Sequence, residues 1–190
     1  MRLFDRKRIE RPGGKTFQEV IHERRSIRHF LDMGLQEETV MRIFDAANAA
    51  PSAGNLQAYE IVVVTDAYTK ARLREASLNQ KFVEEAPVDL VFFANLMRSA
   101  LKYRERGTGL YCVQDATIAA TYAMLAATDA GLGSVWVGAF NEIEVSRILQ
   151  AHAHQRPVAI LCIGYIGKEP GPTRRRELTD LVHNEKIEHP

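Results

Sequence analysis

Four clusters along the chain combine residue types suited to holding a ligand. Arg24-Arg25-Ser26-Ile27-Arg28 sets three guanidiniums and a hydroxyl within five residues. Together they can give several charge-assisted hydrogen bonds to one phosphate. In an extended segment Arg24, Ser26 and Arg28 project to one side. Pro51-Ser52-Ala53-Gly54-Asn55-Leu56-Gln57 offers something different. Its small residues let a ligand approach the backbone, and Ser52, Asn55 and Gln57 add neutral hydrogen-bonding groups. In the run from Gly131 to Phe140, Gly138 and Ala139 place bare backbone N–H groups where a flat ring can lie. This run follows a helix and enters a strand, the reverse of the dinucleotide-binding order. Arg174-Arg175-Arg176 is a second source of positive charge, near the end of the chain. Each cluster taken alone also fits a blander role: a solvated basic face, a connecting loop or tight packing.

The common motifs of side-chain catalysis are missing. There is no P-loop, HExxH, GxSxG or CxxC. His152-x-His154 has no Cys, Asp or Glu at a matching spacing for a metal. Cys112 and Cys162 lie in apolar surroundings and read as buried thiols in a reducing cytoplasm, not as a disulfide. An enzyme with this sequence must therefore borrow its chemistry from a cofactor.

The elements that position these clusters follow from periodicity. Thr16 with Glu19 reads as a capping box for a helix ending near Arg24. A second helix is expected from about Gln36 to Ala50, with Val40, Ile43, Phe44 and Ala47 on one face. Ile61–Val64 reads as a strand covered on both faces, and Tyr68 to Ala76 as a charged helix. A strand is expected at Val88–Ala94, then a loop or short helical excursion at Asn95–Gly109. Tyr111 to Ala130 is apolar nearly all round and reads as a central helix ended by Gly131. Ser134–Val137 and Pro157–Gly164 read as strands, with a helix between them from Asn141 to about Gln150. The order predicts an α+β fold, a three-layer α/β/α sandwich. The tail from Lys168 is too poor in apolar residues to fold alone. With few strands and an uncovered edge, it is suited to adding a strand to a neighbouring subunit.

Size and composition agree with one domain. The chain has 190 residues, 46% apolar and 26% charged, which excludes wholesale disorder. A net charge of +1 gives no case for nucleic acid or a membrane surface as partner. No apolar h-region follows the N-terminal charges, and the uncharged run from Ala116 to Thr128 is too short to span a bilayer. A cytoplasmic protein is expected.

Taken in order, ERRSIRHF, APSAGNLQ, Asn79-Gln80 before EEAPVDLVFF, GLGSVWVGAF and the basic tail with LVHNEK resemble the FMN-dependent nitroreductase family. The match runs from about Phe17 to Ile187, and five pieces in the right order are far more specific than any one. The resemblance implies a mainly antiparallel central sheet with helices on both faces, in an intertwined homodimer with two FMN sites. It implies an N-terminal arm over 1–15, a flavin-binding domain over 16–167 and a tail over 168–190 that wraps the partner subunit. Arg24, Arg25, Ser26 and Arg28 then match the motif that holds the FMN phosphate and ribityl chain, and Arg174 and Arg176 match the tail's basic phosphate ligands. Pro51, Ser52, Ala53, Asn55 and Gln57 belong to the loop that reaches the flavin of the other subunit. Asn79 matches an amide at the pyrimidine edge, with Gln80 the neighbouring possibility. Val137, Gly138 and Ala139 match the backbone beside the flavin N5. Two departures stand out: Glu177 where many relatives have proline, and Thr121-Tyr122 where many have Gln-Asn. The implied activity is hydride transfer from NADH or NADPH, through FMN, to a nitroaromatic, quinone or enone in ping-pong order. A dehalogenating or flavin-fragmenting enzyme of the same family is an alternative. From another class comes an anion- or nucleic-acid-binding protein using residues 1–28, which carry nine basic and four acidic groups.

Overall fold

A computed structural model describes residues 14–187. The expected N-terminal arm therefore lies outside the described residues apart from Gly14 and Lys15, as do the last three residues of the tail. Four strands form one antiparallel sheet in the order β1-β2-β4-β3: β1 Tyr59–Val64, β2 Val88–Asn95, β3 Gly133–Val137 and β4 Gln155–Gly164. Apart from Asp89, the middles of the two central strands are unbroken apolar runs, covered on both faces. Leu90, Phe92, Leu161 and Ile163 face α2 (Glu37–Asn48) and α6 (Cys112–Asp129), where Ile43, Ala47, Ala119 and Ala123 meet them. Val91, Phe93, Ile160 and Cys162 alternate to the other face. There they meet Leu73 of α3 (Ala67–Ala76), Val83 of α4 (Phe82–Glu85) and Val145 of α7 (Glu142–Ile148). The three layers expected from the sequence are present.

Local chemistry sets the element ends. Thr16 caps α1 (Phe17–Glu23) in a capping box with Glu19. Asp66 accepts from Thr69 N at 2.8 Å at the start of α3, and Asn141 accepts from Ile143 N and Glu144 N at the start of α7. Pro157 lies inside β4 yet lacks an N–H for the ladder. The register shifts there, with Phe92 opposite Ala159 and Phe93 opposite Pro157, so Val158 is left over as a bulge. Along α6, Ala116, Ala119, Ala120, Ala123 and Ala127 are fully buried. Small side chains at that spacing let the helix sit close to the sheet and α2.

Three expectations need correction. β1 is an edge strand, with Val63 46% exposed, so it is not covered on both faces. Its apolar run is the same as a central strand's, and only the topology separates them. Of the two readings of the segment after Asn95, the helix is present and the loop is not, and the helix is longer than a short excursion: α5 spans Leu96–Arg106 and runs through a π-helical turn, Gly107–Tyr111, straight into α6. Asn95 caps α5 by accepting from Arg98 N at 3.0 Å, and Arg104 breaks it with φ 48° and ψ −132°. The short α4 has no counterpart among the expected elements. Elsewhere only the ends move, as in α2, expected from about Gln36 to Ala50. No helix among the described residues is long and apolar enough to cross a membrane.

Candidate functional site

The end of α1 delivers the first cluster. Beyond the C-cap Arg24 the chain turns extended and runs beside the start of β3. Ser26 bridges Ser134 in parallel, and Ile27 N donates to Ser134 O at 2.9 Å. Ile27 is buried against Gly133, where an added Cβ would stand 2.7 Å from Ile27 Cγ1. Glycine there is what lets the arginine segment dock on the strand. The tail returns to the same place. Ile21, His22, Arg24, Arg25, Thr173 and Arg175 border a cavity of about 190 Å³. Burial, then the like charges of Arg175 and Arg25, push the Arg24 guanidinium below its ordinary value. Among the described residues, no carboxylate lines this cavity. Cations gathered without a counter-charge suit an anion the size of a phosphate.

The tail residue in this cluster differs from expectation. Arg174 and Arg176 were the candidates, but Arg175 lines the cavity. Arg176 instead donates to Asp180 O at 2.6 Å. Arg25 also serves α1, since its Nη1 donates to the His22 and Arg24 carbonyls. Arg28 is exposed and does not line the cavity. From the triplet alone the choice was invisible, because three adjacent arginines differ only in where the backbone turns.

The other end of β3 carries the second group. Val137 is buried, while Gly138 and Ala139 are exposed. Gln80 Nε2 donates to Ala139 O at 3.3 Å and to Ser77 O at 2.9 Å, and Asn141 N donates to Ala76 O at 2.8 Å. These bonds hold the Ala76–Gln80 turn against the strand end. Gln80 is thus committed to it. Asn79 takes a left-handed φ of 57° and is exposed, with no side-chain hydrogen bond among the described residues. Ser134 and Gly138 are four residues apart on the strand path, roughly 13 Å at the usual rise. One strand therefore spaces the cation cluster from the bare backbone by about the reach of a sugar-phosphate arm.

The third group sits elsewhere. Pro51–Ala58 leaves α2 and folds into a tight loop with left-handed Gly54 (φ 57°), Asn55 (φ 57°) and Gln57 (φ 49°). Ser52 Oγ accepts from Gln57 N at 3.0 Å, and Gln57 Nε2 donates to Asn55 Oδ1 at 2.7 Å. The buried carboxylate of Asp115, in the first turn of α6, accepts from Ala53 N at 2.8 Å and Ala58 N at 3.2 Å. Burial, then this charge, push the Tyr59 phenol up. From the other side Arg98 of α5 donates to Leu56 O, and the tips of Lys102 and Tyr103 stand over Gly54. The loop borders a cavity of about 480 Å³ whose walls include Pro51, Ala53, Tyr111, Val113 and Ile118. No hydrogen bond among the described residues joins this group to the first two. Residue patterns did not single out Asp115. Its signal was only that it opens the long uncharged run of α6.

Comparison with known proteins places these groups in context. A family model described as "Nitroreductase family" matches residues 21–165. The chain is 33% identical to an NADH dehydrogenase of Thermus thermophilus over 187 residues, covering 84% of this chain and 91% of that protein. It is 33% identical to an FMN reductase (NADPH) of Bacillus subtilis, covering 80% of this chain and 68% of that one. The NADPH:FMN oxidoreductase of Vibrio harveyi, solved in complex with NAD+, superposes with a TM-score of 0.84 at 28% identity, covering 90% of this chain and 78% of that one.

Proposed function

The chain belongs to the nitroreductase family, and from that premise we propose that it is an FMN-dependent oxidoreductase that moves a hydride from NADH or NADPH to a small organic acceptor. The observation that carries this reading is the cavity ringed by Arg24, Arg25 and Arg175, at the start of a strand whose far end exposes Gly138 and Ala139. That layout fits FMN: one phosphate's worth of guanidiniums, an arm's length of strand, and open backbone for a flat ring. It lacks the glycine fingerprint an adenine half would use.

The roles follow from position. Arg24, Arg25, Arg175 and Ser26 hold the phosphate, with Arg28 along the ribityl arm. Val137, Gly138 and Ala139 line the ring, and Asn79, whose side-chain amide makes no hydrogen bond among the described residues, meets its pyrimidine edge. Pro51–Gln57 comes from a partner protomer in a homodimer, which accounts for its separation from the other two groups. Bound there, FMN would supply hydride transfer from the nicotinamide to a nitroaromatic, quinone or enone, in ping-pong order. The chain's own part is to bind, orient and exclude water. Apolar walls in the 480 Å³ cavity suit a flat organic body. The hydride step carries no proton and so asks no side chain to titrate, while the proton that completes the reduced acceptor comes from water.

Reconstitution tests it. Apo protein incubated with FMN is expected to bind it stoichiometrically, to release FMN and no FAD on heating, and to oxidise NADH or NADPH only with an acceptor present under anaerobic conditions. A chain that holds no flavin after reconstitution would sink the reading.

A further inference from the structure

Nothing in the hydride chemistry calls on Asp115, yet it is one of the few charged groups buried in the fold, at 2% exposure. Its surroundings say what it does. Asn55 and Gln57 both hold left-handed backbone, which asparagine tolerates and glutamine, like most residues, disfavours. A loop carrying two such residues within three positions keeps its shape only if its surroundings over-determine it. Asp115 supplies that. One oxygen takes the N–H of Ala53 and the other takes the N–H of Ala58, so a single carboxylate clasps both ends of the loop. Only a carboxylate offers two acceptors and no donor. An amide there would aim its NH₂ at one of two backbone donors.

We propose that Asp115 is a positioning residue that sets the shape of the Pro51–Ala58 loop, and with it both the loop's flavin-facing surface and the seat of α5. The second half rests on the contacts above the loop. Arg98 donates to Leu56 O, and Lys102 and Tyr103 stand over Gly54, so α5 is footed on the segment that Asp115 holds. If the clasp opens, the two move together. The flavin half rests on the function proposed above; the clasp itself does not.

The test uses the full chain with Asp115→Asn, and Thr128→Val as control. Thr128 lies near the other end of α6, is also buried, and its hydroxyl donates to the Met124 carbonyl of its own helix. Amide hydrogen exchange is measured on both apo variants. Asp115→Asn is expected to speed exchange at least about tenfold across residues 53–58 and α5, leaving the sheet and the later turns of α6 unchanged. Losing a hydrogen bond to a charged acceptor should raise the FMN dissociation constant about tenfold or more. At saturating FMN the visible circular dichroism of the flavin should change shape, because the ring's surroundings differ. Thr128→Val should move none of these. Exchange that is unchanged, or faster everywhere alike, would overturn the clasp. Local loosening with wild-type FMN affinity and dichroism would overturn the positioning role. Failure of the wild-type chain to bind FMN would instead overturn the flavin reading, and exchange alone would then decide the clasp.

Discussion

Asp89 and Arg175 show how one side chain's surroundings decide its behaviour. Asp89 lies in the central strand β2, opposite Cys162 on β4, and is fully buried. Neither carboxyl oxygen has a hydrogen-bond partner among the described residues. Burial pushes its pKa up to about 8, although the neighbouring Cys162 thiol and the Lys70 ammonium pull the other way. Lys70 offers little relief, since its Nζ is donated to the Glu84 and Ala86 carbonyls. The folded chain therefore keeps this proton over a range in which the unfolded chain has lost it. This group's contribution to stability is full below about pH 4, falls as pH rises, and levels off above about 8. Asp89→Asn removes that slope. Its stability relative to wild type should grow from pH 5 to pH 8, by at most about 4 kcal/mol at 1.36 kcal/mol per unit. Urea unfolding at the two pH values checks this; parallel profiles would mean Asp89 is already ionised in the fold. The cation cluster gives a second prediction at this scale. Arg175→Ala should weaken FMN binding about ten- to 150-fold, the cost of one charge-assisted bond. Arg174→Ala should change it by less than about twofold, and flavin fluorescence titration separates the two. Equal losses would mean that the triplet acts as a diffuse charge.

Elements were legible where one physical signal dominated. α1 and α7 begin at side-chain caps that the sequence spells out, and α6 announces itself by its nearly all-apolar run. The candidate clusters stand out in the sequence for the same reason, being short runs of residues suited to holding a ligand. Edge and centre were not separable for β1, because pairing is set by partners far along the chain. α5 was hidden by its composition. Its basic face and exposed Met97 and Leu101 give no clean apolar period, and Arg104 breaks the helix where propensity would continue it. What holds α5 is a close contact no pattern reveals. Gly107 is buried against Ser99, and a Cβ there would lie 2.6 Å from the Ser99 carbonyl oxygen. Backbone cannot yield as a side-chain tip can. Gly107→Ala should destabilise the chain by about 1–3 kcal/mol, the usual cost of overpacking. The damage should concentrate in α5 and the following turn, read as faster amide exchange there. A neutral substitution would show that the turn re-forms at no cost.

At the scale of the whole molecule, the unsatisfied part is the tail. Residues 168–187 bury no side chain against their own chain, yet Leu178, Leu181, Val182 and Ile187 are apolar and 52–74% exposed. The first three recur at i, i+3 and i+4, the spacing of a face that docks. Phe17 of α1 is 69% exposed as well. The flavin reading calls for a second protomer on separate grounds, because among the described residues the Pro51–Gln57 loop and the Arg24 cluster border different cavities and share no hydrogen bond. Both demands are met if the tail crosses a partner. Burying each of these side chains is worth about 1.5–3 kcal/mol, so four of them on each of two tails would hold a dimer firmly. Deleting residues 178–190 removes all four and leaves Arg175 in place. Light scattering should then give the full chain twice its 21.4 kDa and the shortened chain a single copy at low micromolar concentration. The shortened chain should keep its far-ultraviolet circular dichroism, since the three layers owe nothing to the tail. Its FMN affinity should fall although every phosphate-binding arginine remains, because the loop from the partner is gone. A shortened chain that stays dimeric would move the interface to α1 and α6. One that is monomeric yet binds FMN as tightly as the full chain would mean that each site is complete within a single protomer.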